Sequence, residues 1–279
     1  MKYYGWGLPF NASAHGAEID RLIYVIHIFM AVLFIGWFVY LIYALIRFRS
    51  RPGHAATYKL NHFKVPSYAE IGVALFEVLL LVGFSFPVVH QVRDVFPPAG
   101  EALQIRVVAE QFAWNIHYPG ADGIFGKTDI HLISPANLLG LDLTDPAAKD
   151  DILTTNQLHI PVHKPVIARL SSKDVIHSFS IPVMRVKRDV IPGQVAPIWF
   201  EAARTGNFEI ACAQLCGLGH YRMRGFFTVE TEEEFNKWIA GQAPKPEPPP
   251  AAPKENLIPQ PPSRTAALPS PPEGGEGKG

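Results

Sequence analysis

The stretch Leu22-Ile-Tyr-Val-Ile-His-Ile-Phe-Met-Ala-Val-Leu-Phe-Ile-Gly-Trp-Phe-Val-Tyr-Leu-Ile-Tyr-Ala-Leu-Ile46 runs without a charged residue. At about 1.5 Å of rise per residue, a helix of this length crosses a hydrocarbon core of about 30 Å. A transmembrane helix is therefore expected over 22–46. The stretch is too long for the core of a signal peptide. It is preceded by Glu18, Asp20 and Arg21, and no small-residue cleavage pattern follows closely, so it is expected to be retained.

Working outward, a second apolar stretch runs from Tyr68 to Val92, broken by Glu70, Glu77, His90 and Gln91. It reads as a second transmembrane helix over 68–92. Between the two lie Arg47, Arg49, Arg51, Lys59 and Lys64, with no acidic residue before Glu70. The positive-inside bias then places the loop 47–67 in the cytoplasm and the segment 1–21, with the chain after the second helix, outside it. A buried hairpin of a soluble protein competes with this reading, but two spans so long and so flanked weigh against it. Intramembrane carboxylates are costly and usually face protein or water. Glu70 and Glu77, two turns apart on one face, are thus candidates for proton handling or for a hydrogen bond to a neighbour.

After Phe96 the pattern changes. Leu103–Glu110, Phe112–Tyr118, Val166–Ser171, Val175–Ile181, Ile198–Ala203 and Phe226–Glu230 are short, rich in β-branched and aromatic residues, and separated by Gly and Pro. Such runs predict an antiparallel β-sandwich or barrel over 97–240. A polar insertion at 120–156 carries six aspartates, Asp122, Asp129, Asp142, Asp145, Asp150 and Asp151, and is expected to form solvated loops or a docking edge. Thr231 ahead of Glu232, Glu233 and Glu234 predicts a short capped helix. Beyond Gly241 twelve prolines crowd the chain, and 241–279 is expected to be a disordered or surface-draped tail. Basic and acidic residues balance at 25 each, which argues against a nucleic-acid partner.

The chemistry concentrates in Cys212-Ala-Gln-Leu-Cys216-Gly-Leu-Gly-His220-Tyr-Arg-Met223, with His177 upstream in a strand-like run. Two thiolates, two imidazoles and a thioether form a soft donor set that favours copper over magnesium or calcium. With both thiolates on one loop, each sulfur can bridge two copper ions. His177 and His220 then serve as terminal ligands, Met223 as a weak axial ligand, and a loop carbonyl as the opposite axial donor. Zinc competes for a Cys₂His₂ set, although Met223 has no use there. A Cys212–Cys216 disulfide is the third reading. Another four histidines, His117, His131, His159 and His163, lack ligand spacing and are assigned to no metal.

The run just quoted, together with Asp174-Val-Ile-His177-Ser-Phe and Lys187-Arg-Asp189-Val-Ile-Pro192-Gly193, resembles subunit II of cytochrome c oxidases over roughly residues 15 to 240. The resemblance implies a membrane-anchored, all-β fold: a two-helix transmembrane hairpin plus a cupredoxin-like Greek-key β-barrel or sandwich. It implies a dinuclear copper centre held by His177, Cys212, the backbone carbonyl of Gln214, Cys216, His220 and Met223. Electrons would arrive from a c-type cytochrome and pass to haem in subunit I, which with its own haem and copper reduces oxygen and pumps protons. Subunit I, subunit III, membrane lipid and a respiratory supercomplex are the implied partners, in a bacterial plasma membrane. This chain alone should not turn over.

Two departures accompany the resemblance. Gln214 stands where relatives carry a glutamate that binds interfacial magnesium, and an amide is the weaker ligand, so magnesium is in question. Phe112 stands where a tryptophan usually receives the electron, with Trp114 two residues on as a second aromatic that strand packing alone would explain. Glu70 matches the family glutamate at the mouth of a proton path. A quinol oxidase subunit would lack the copper ligands, and a copper carrier would lack the paired anchor. No Cys-x-x-Cys-His run is present for a fused haem, so the donor is expected to be a separate polypeptide.

Overall fold

The computed structural model describes residues 7–55 and 64–242, with backbone alone for residues 3 and 4. The expected tail falls outside these residues except for 241 and 242, as do positions 56–63 of the expected cytoplasmic loop. Two-residue strands β1 (Tyr3–Tyr4) and β2 (Leu8–Pro9) pair and lead into α1 (Gly16–Arg47). The helix thus begins six residues before the apolar run. Glu18, Asp20 and Arg21 are compatible with helix, and hydrophobicity marks what a membrane would cover rather than where the helix starts.

The second span runs from 65 to 93 in three pieces: α2 (Val65–Leu80), a π-helical turn Leu81–Ser85, and α3 (Phe86–Arg93). Pro87 accounts for the interruption. Its ring cannot donate to the carbonyl four residues back and would collide with it, and a widened turn absorbs the mismatch. Phe29 and Phe76 meet at 4.6 Å between ring centres where the two helices touch. Elsewhere their surface is exposed and apolar, with Phe34, Trp37 and Leu75 each about two-thirds exposed, a surface that suits lipid or protein and not water.

The β-domain has ten strands in two five-stranded sheets. One has the order β10 (Ala196–Glu201), β7 (Pro165–Ser172), β3 (Leu103–Glu110), β4 (Ala113–Tyr118), β5 (Ile152–Thr155). The other has the order β6 (Gln157–Pro161), β12 (Arg224–Glu230), β11 (Gly206–Cys212), β8 (His177–Ile181), β9 (Val186–Val190). The expectation of a purely antiparallel sandwich needs correcting, because β3 pairs with β7 and β6 with β12 in parallel. Alternation along a strand tells which face is buried and says nothing of a neighbour's direction. Trp114, Tyr118, Phe179, Phe200 and Phe227 fill the space between the sheets, fully buried.

The helix after β12, α4 (Glu232–Gln242), starts as expected: the Glu234 backbone N–H donates to the Thr231 hydroxyl at 3.3 Å, and the Thr231 backbone N–H donates to the Glu234 carboxylate at 3.0 Å. Residues 121–124 and 127–136 of the insertion are exposed, as expected of solvated loops. Asp129, Asp142 and Asp145 accept hydrogen bonds from nearby backbone N–H groups, and Asp151 is buried against His117 at 2.7 Å. The first three cap turns of their own loop, while Asp122 and Asp129 remain exposed.

Residues 8–15 lie on the β-domain. The Ala12 N–H donates to the Val183 carbonyl at 2.9 Å, and the Ala203 N–H donates to the Ala12 carbonyl at 2.8 Å. Arg185 holds Asp20, at the start of α1, through two hydrogen bonds of 2.6 and 2.9 Å. Both the N-terminal segment and the β-domain therefore occupy one end of the helix pair.

Candidate metal centre

The site grows out of the pairing of β8 and β11, where Cys212 faces Phe179 across the ladder. His177, two residues before Phe179, then lies level with the loop that follows Cys212. The Ala213 N–H donates to the Ser178 carbonyl at 2.9 Å, and the Cys212 N–H donates to the Met223 carbonyl at 3.2 Å, which closes the loop at its base. A 3₁₀ turn, His220–Arg222, returns the chain to β12 and sets His220 and Met223 beside Cys216.

Within this loop the donor atoms converge. The two sulfurs are 3.8 Å apart. His177 Nδ1 is 4.0 Å from the Cys212 sulfur, while His220 Nδ1 and the Met223 sulfur are 3.6 and 3.7 Å from the Cys216 sulfur. The Gln214 carbonyl oxygen is 3.1 Å from the Cys212 sulfur. Donors that share a metal at about 2.0 to 2.3 Å are about 3.3 to 3.8 Å apart in a tetrahedral arrangement. The separations suit bound metal, and both cysteines are free thiols with their sulfurs well beyond disulfide bonding distance. Every copper ligand read from the sequence is brought together here.

His177 is wholly buried, and its Nε2 is 2.8 Å from an Asp174 carboxylate oxygen. That contact fixes the proton on Nε2 and leaves Nδ1 with a lone pair facing the sulfurs. Asp174 in turn accepts from the Gln111 and Val175 backbone N–H groups, each at 2.6 Å. Burial raises the Asp174 carboxyl, but hydrogen bonds from His177, Gln111 and Val175 outweigh it and hold the group below the ordinary carboxylate range. Burial first, and then the neighbouring Cys212, push the Cys216 thiol up to about 11. A metal must displace that proton to bind.

The Phe112 ring lies on the loop. A Cβ added to Gly219 would sit 2.4 Å from the Phe112 ring, and one added to Gly217 would sit 3.1 Å from it, so glycine at both positions permits the contact. The Gln111 side chain donates to the Cys216 carbonyl at 2.6 Å from the same hairpin. Trp114 is buried in the core, with its ring centre 5.4 Å from Phe179 and 6.2 Å from His177. Glu70 and Glu77 are exposed on α2, among residues that contribute nothing to this centre.

Sequence reasoning missed three things. Asp174 lies only three residues from the His177 it orients, whereas the bracing by Gln111 depends on contacts 63 and 105 residues apart in the chain. The surface around the loop also carries bare apolar groups: Leu218 is 97% exposed, Tyr221 86% and Leu215 75%. Their alternation with the ligands is the signal that a metal-first reading passes over. The attachment of residues 8–15 to the β-domain left no mark in composition.

Residues 103–229 match the family described as the periplasmic domain of cytochrome c oxidase subunit II. An alternative cytochrome c oxidase subunit 2 from Bradyrhizobium diazoefficiens is 34% identical over 238 residues, covering 85% of this chain and 84% of the relative. A cytochrome c oxidase subunit 2 from Cereibacter sphaeroides is 27% identical over 250 residues, covering 84% and 79%. Among solved structures, the periplasmic domain of subunit II of cytochrome oxidase from Bradyrhizobium japonicum is 31% identical and covers 53% of this chain and 96% of that chain, with a TM-score of 0.39.

Proposed function

Because the chain belongs to the cytochrome c oxidase subunit II family, as a membrane-anchored subunit of a proton-pumping oxidoreductase, we propose that it receives electrons from a c-type cytochrome at a two-copper centre. From there they go to haem in subunit I. The observation that carries this reading is the arrangement of donors in two linked sets. Cys212 has His177 and the Gln214 carbonyl, Cys216 has His220 and Met223, and the sulfurs between them are 3.8 Å apart. A single tetrahedral ion needs four donors, and six are gathered here. Copper held between the two sulfurs would supply a one-electron couple whose charge spreads over both metals.

The chain's own residues do the rest. The ladder between β8 and β11 and the hydrogen bonds at the base of the loop hold the donors, so that geometry changes little when charge arrives. Asp174 keeps His177 in the tautomer that presents Nδ1. Phe112, packed on Gly217 and Gly219, offers a ring between the loop and an approaching donor, whereas Trp114 is placed for packing. Leu215, Leu218 and Tyr221 give a partner an apolar patch beside the centre, as a protein interface requires.

The Gln214 side chain is exposed and carries no charge, so tight magnesium binding at the contact with subunit I is not part of the proposal. Glu70 is assigned to proton uptake at the far end of the helix pair. The arginine-rich loop lies at the end opposite the β-domain, which supports an orientation with the β-domain and N-terminus on the periplasmic side of a bacterial plasma membrane. Subunits I and III and lipid are the partners expected to cover the helices.

The test is metal analysis of the full chain loaded with copper in detergent, together with electron paramagnetic resonance. Two coppers per chain and a mixed-valence spectrum are expected. One ion per chain, or retained zinc, overturns the assignment.

A further inference from the structure

Away from the metal centre, a cleft of about 720 Å³ opens between the outer face of the first sheet and the insertion at 120–156. Its floor is a cross-strand row. Arg106 of β3 is in register with His117 of β4 on one side and with Arg169 of β7 on the other. Two guanidinium groups on adjacent strands repel each other, and neither is in an ion pair among the described residues. Arg106 instead donates to the Gly126 carbonyl at 3.5 Å and lies 4.2 Å over the Phe125 ring, and Arg169 donates to Gln104 at 3.0 Å.

Of the acids nearby, Glu110 is paired through both oxygens and Asp151 through one, its Oδ1 being buried without a partner among the described residues. Asp151, whose charge reaches Arg106, accepts from His117 at 2.7 Å and from the Gly126 N–H at 2.8 Å. Glu110 pairs with Lys173 at 2.5 Å. His117 itself is fully buried, with Nε2 committed to Asp151, so it offers the cleft no hydrogen-bond donor. The walls are apolar. Ile130 is 76% exposed and Ile133 42%, with Leu139 beside them and Val195 opposite.

We propose that this cleft binds a small amphipathic anion, with its carboxylate or phosphate bridging Arg106 and Arg169 and its apolar body against Ile130, Ile133 and Val195. The volume is in the range of small-molecule sites, and the combination of apolar walls with a few convergent polar groups is what such sites show. An anion between the arginines relieves their repulsion with charge-assisted, fork-shaped hydrogen bonds. Phosphate chemistry of this kind is available from a soluble organic phosphate or from a lipid headgroup.

The experiment titrates phenyl phosphate into the full chain in phosphatidylcholine nanodiscs and follows binding by saturation-transfer NMR. Saturable binding is expected, with inorganic phosphate and phenol each binding at least about tenfold more weakly, since each lacks half of the recognition. Arg169→Gln, an exposed position that should fold, is expected to weaken phenyl phosphate by about tenfold or more, and Ile130→Ser is expected to narrow its advantage over inorganic phosphate. Displacement of the probe in nanodiscs containing phosphatidylglycerol assigns the site to a lipid headgroup, and its persistence assigns the site to a soluble anion. Absence of saturable binding overturns the proposal. So does equal affinity in Arg169→Gln, or inorganic phosphate binding as well as the phenyl ester.

Discussion

Replacing Asp174 by Asn changes one atom of the carboxylate that orients His177, and the structure allows the effect to be worked out. Three donors converge on Asp174: the His177 ring nitrogen at 2.8 Å and the backbone N–H groups of Gln111 and Val175 at 2.6 Å. An amide has one oxygen, so at least one of these donors comes to face an NH₂ group. Leaving such a donor unsatisfied costs about 1–3 kcal/mol. Loss of an outer partner of a metal-bound histidine lowers metal affinity by about 10–100-fold. Asp174→Asn should therefore bind copper about 10–100-fold more weakly at pH 7, and its spectrum should show altered coupling to one imidazole. Competition with a copper chelator and electron paramagnetic resonance measure the two effects. The carboxyl is held below its ordinary value, so its contribution is complete above about pH 4 and is lost only as pH falls through the lower folded value. An unchanged affinity and spectrum in the Asn variant would refute the idea that Asp174 sets the tautomer of His177.

Other expectations follow from the same contacts. Because the Cys216 thiol is pushed up to about 11, copper displaces its proton throughout the neutral range, and apparent copper affinity should rise with pH between 6 and 9 in chelator titrations. Gly219→Ala forces a Cβ into the Phe112 ring, and stopped-flow reduction by a c-type cytochrome should be slowed together with a broadened copper spectrum. Phe112→Ala should slow the same reduction, whereas Trp114→Phe, which gives up an indole N–H without a partner, should leave it unchanged at a small cost in melting temperature. Arg185→Ala strands Asp20, and removing half of a mostly buried ion pair should destabilise the chain by about 3 kcal/mol, read as protease cleavage within residues 8–15.

Much of this protein was legible because its signals are local. The uncharged run at 22–46 and the run at 68–92 gave both helices, and the alternation in Leu103–Glu110 matched its strand from end to end. The donors of the loop lie within twelve residues, with His177 as the sole distant member, and their chemistry pointed to the place where the fold gathers them. Strands β5, β6, β9 and β11 went unread. Gln157–Pro161 mixes buried and exposed positions without clean alternation, Val186–Val190 sets Lys-Arg-Asp between two valines, and Gly206–Cys212 opens on a glycine. The parallel pairs, the arginine row and the grip of Asp174 on Gln111 join residues more than sixty apart, and no window along the chain contains both partners.

The attachment of residues 8–15 has a consequence for the order of synthesis. Ala12 leaves the ribosome early, yet the groups it bonds to, Val183 and Ala203, follow about 170 to 190 residues later. At about 5–20 residues per second that is a delay of about ten to forty seconds. Through that interval the leading segment lacks the groups it bonds to in the folded chain, and its hydrogen bonds form only after residue 203 has arrived. A bulky fusion placed ahead of residue 8 would be present during the whole wait, and it should hinder the closing step more than it disturbs the finished protein.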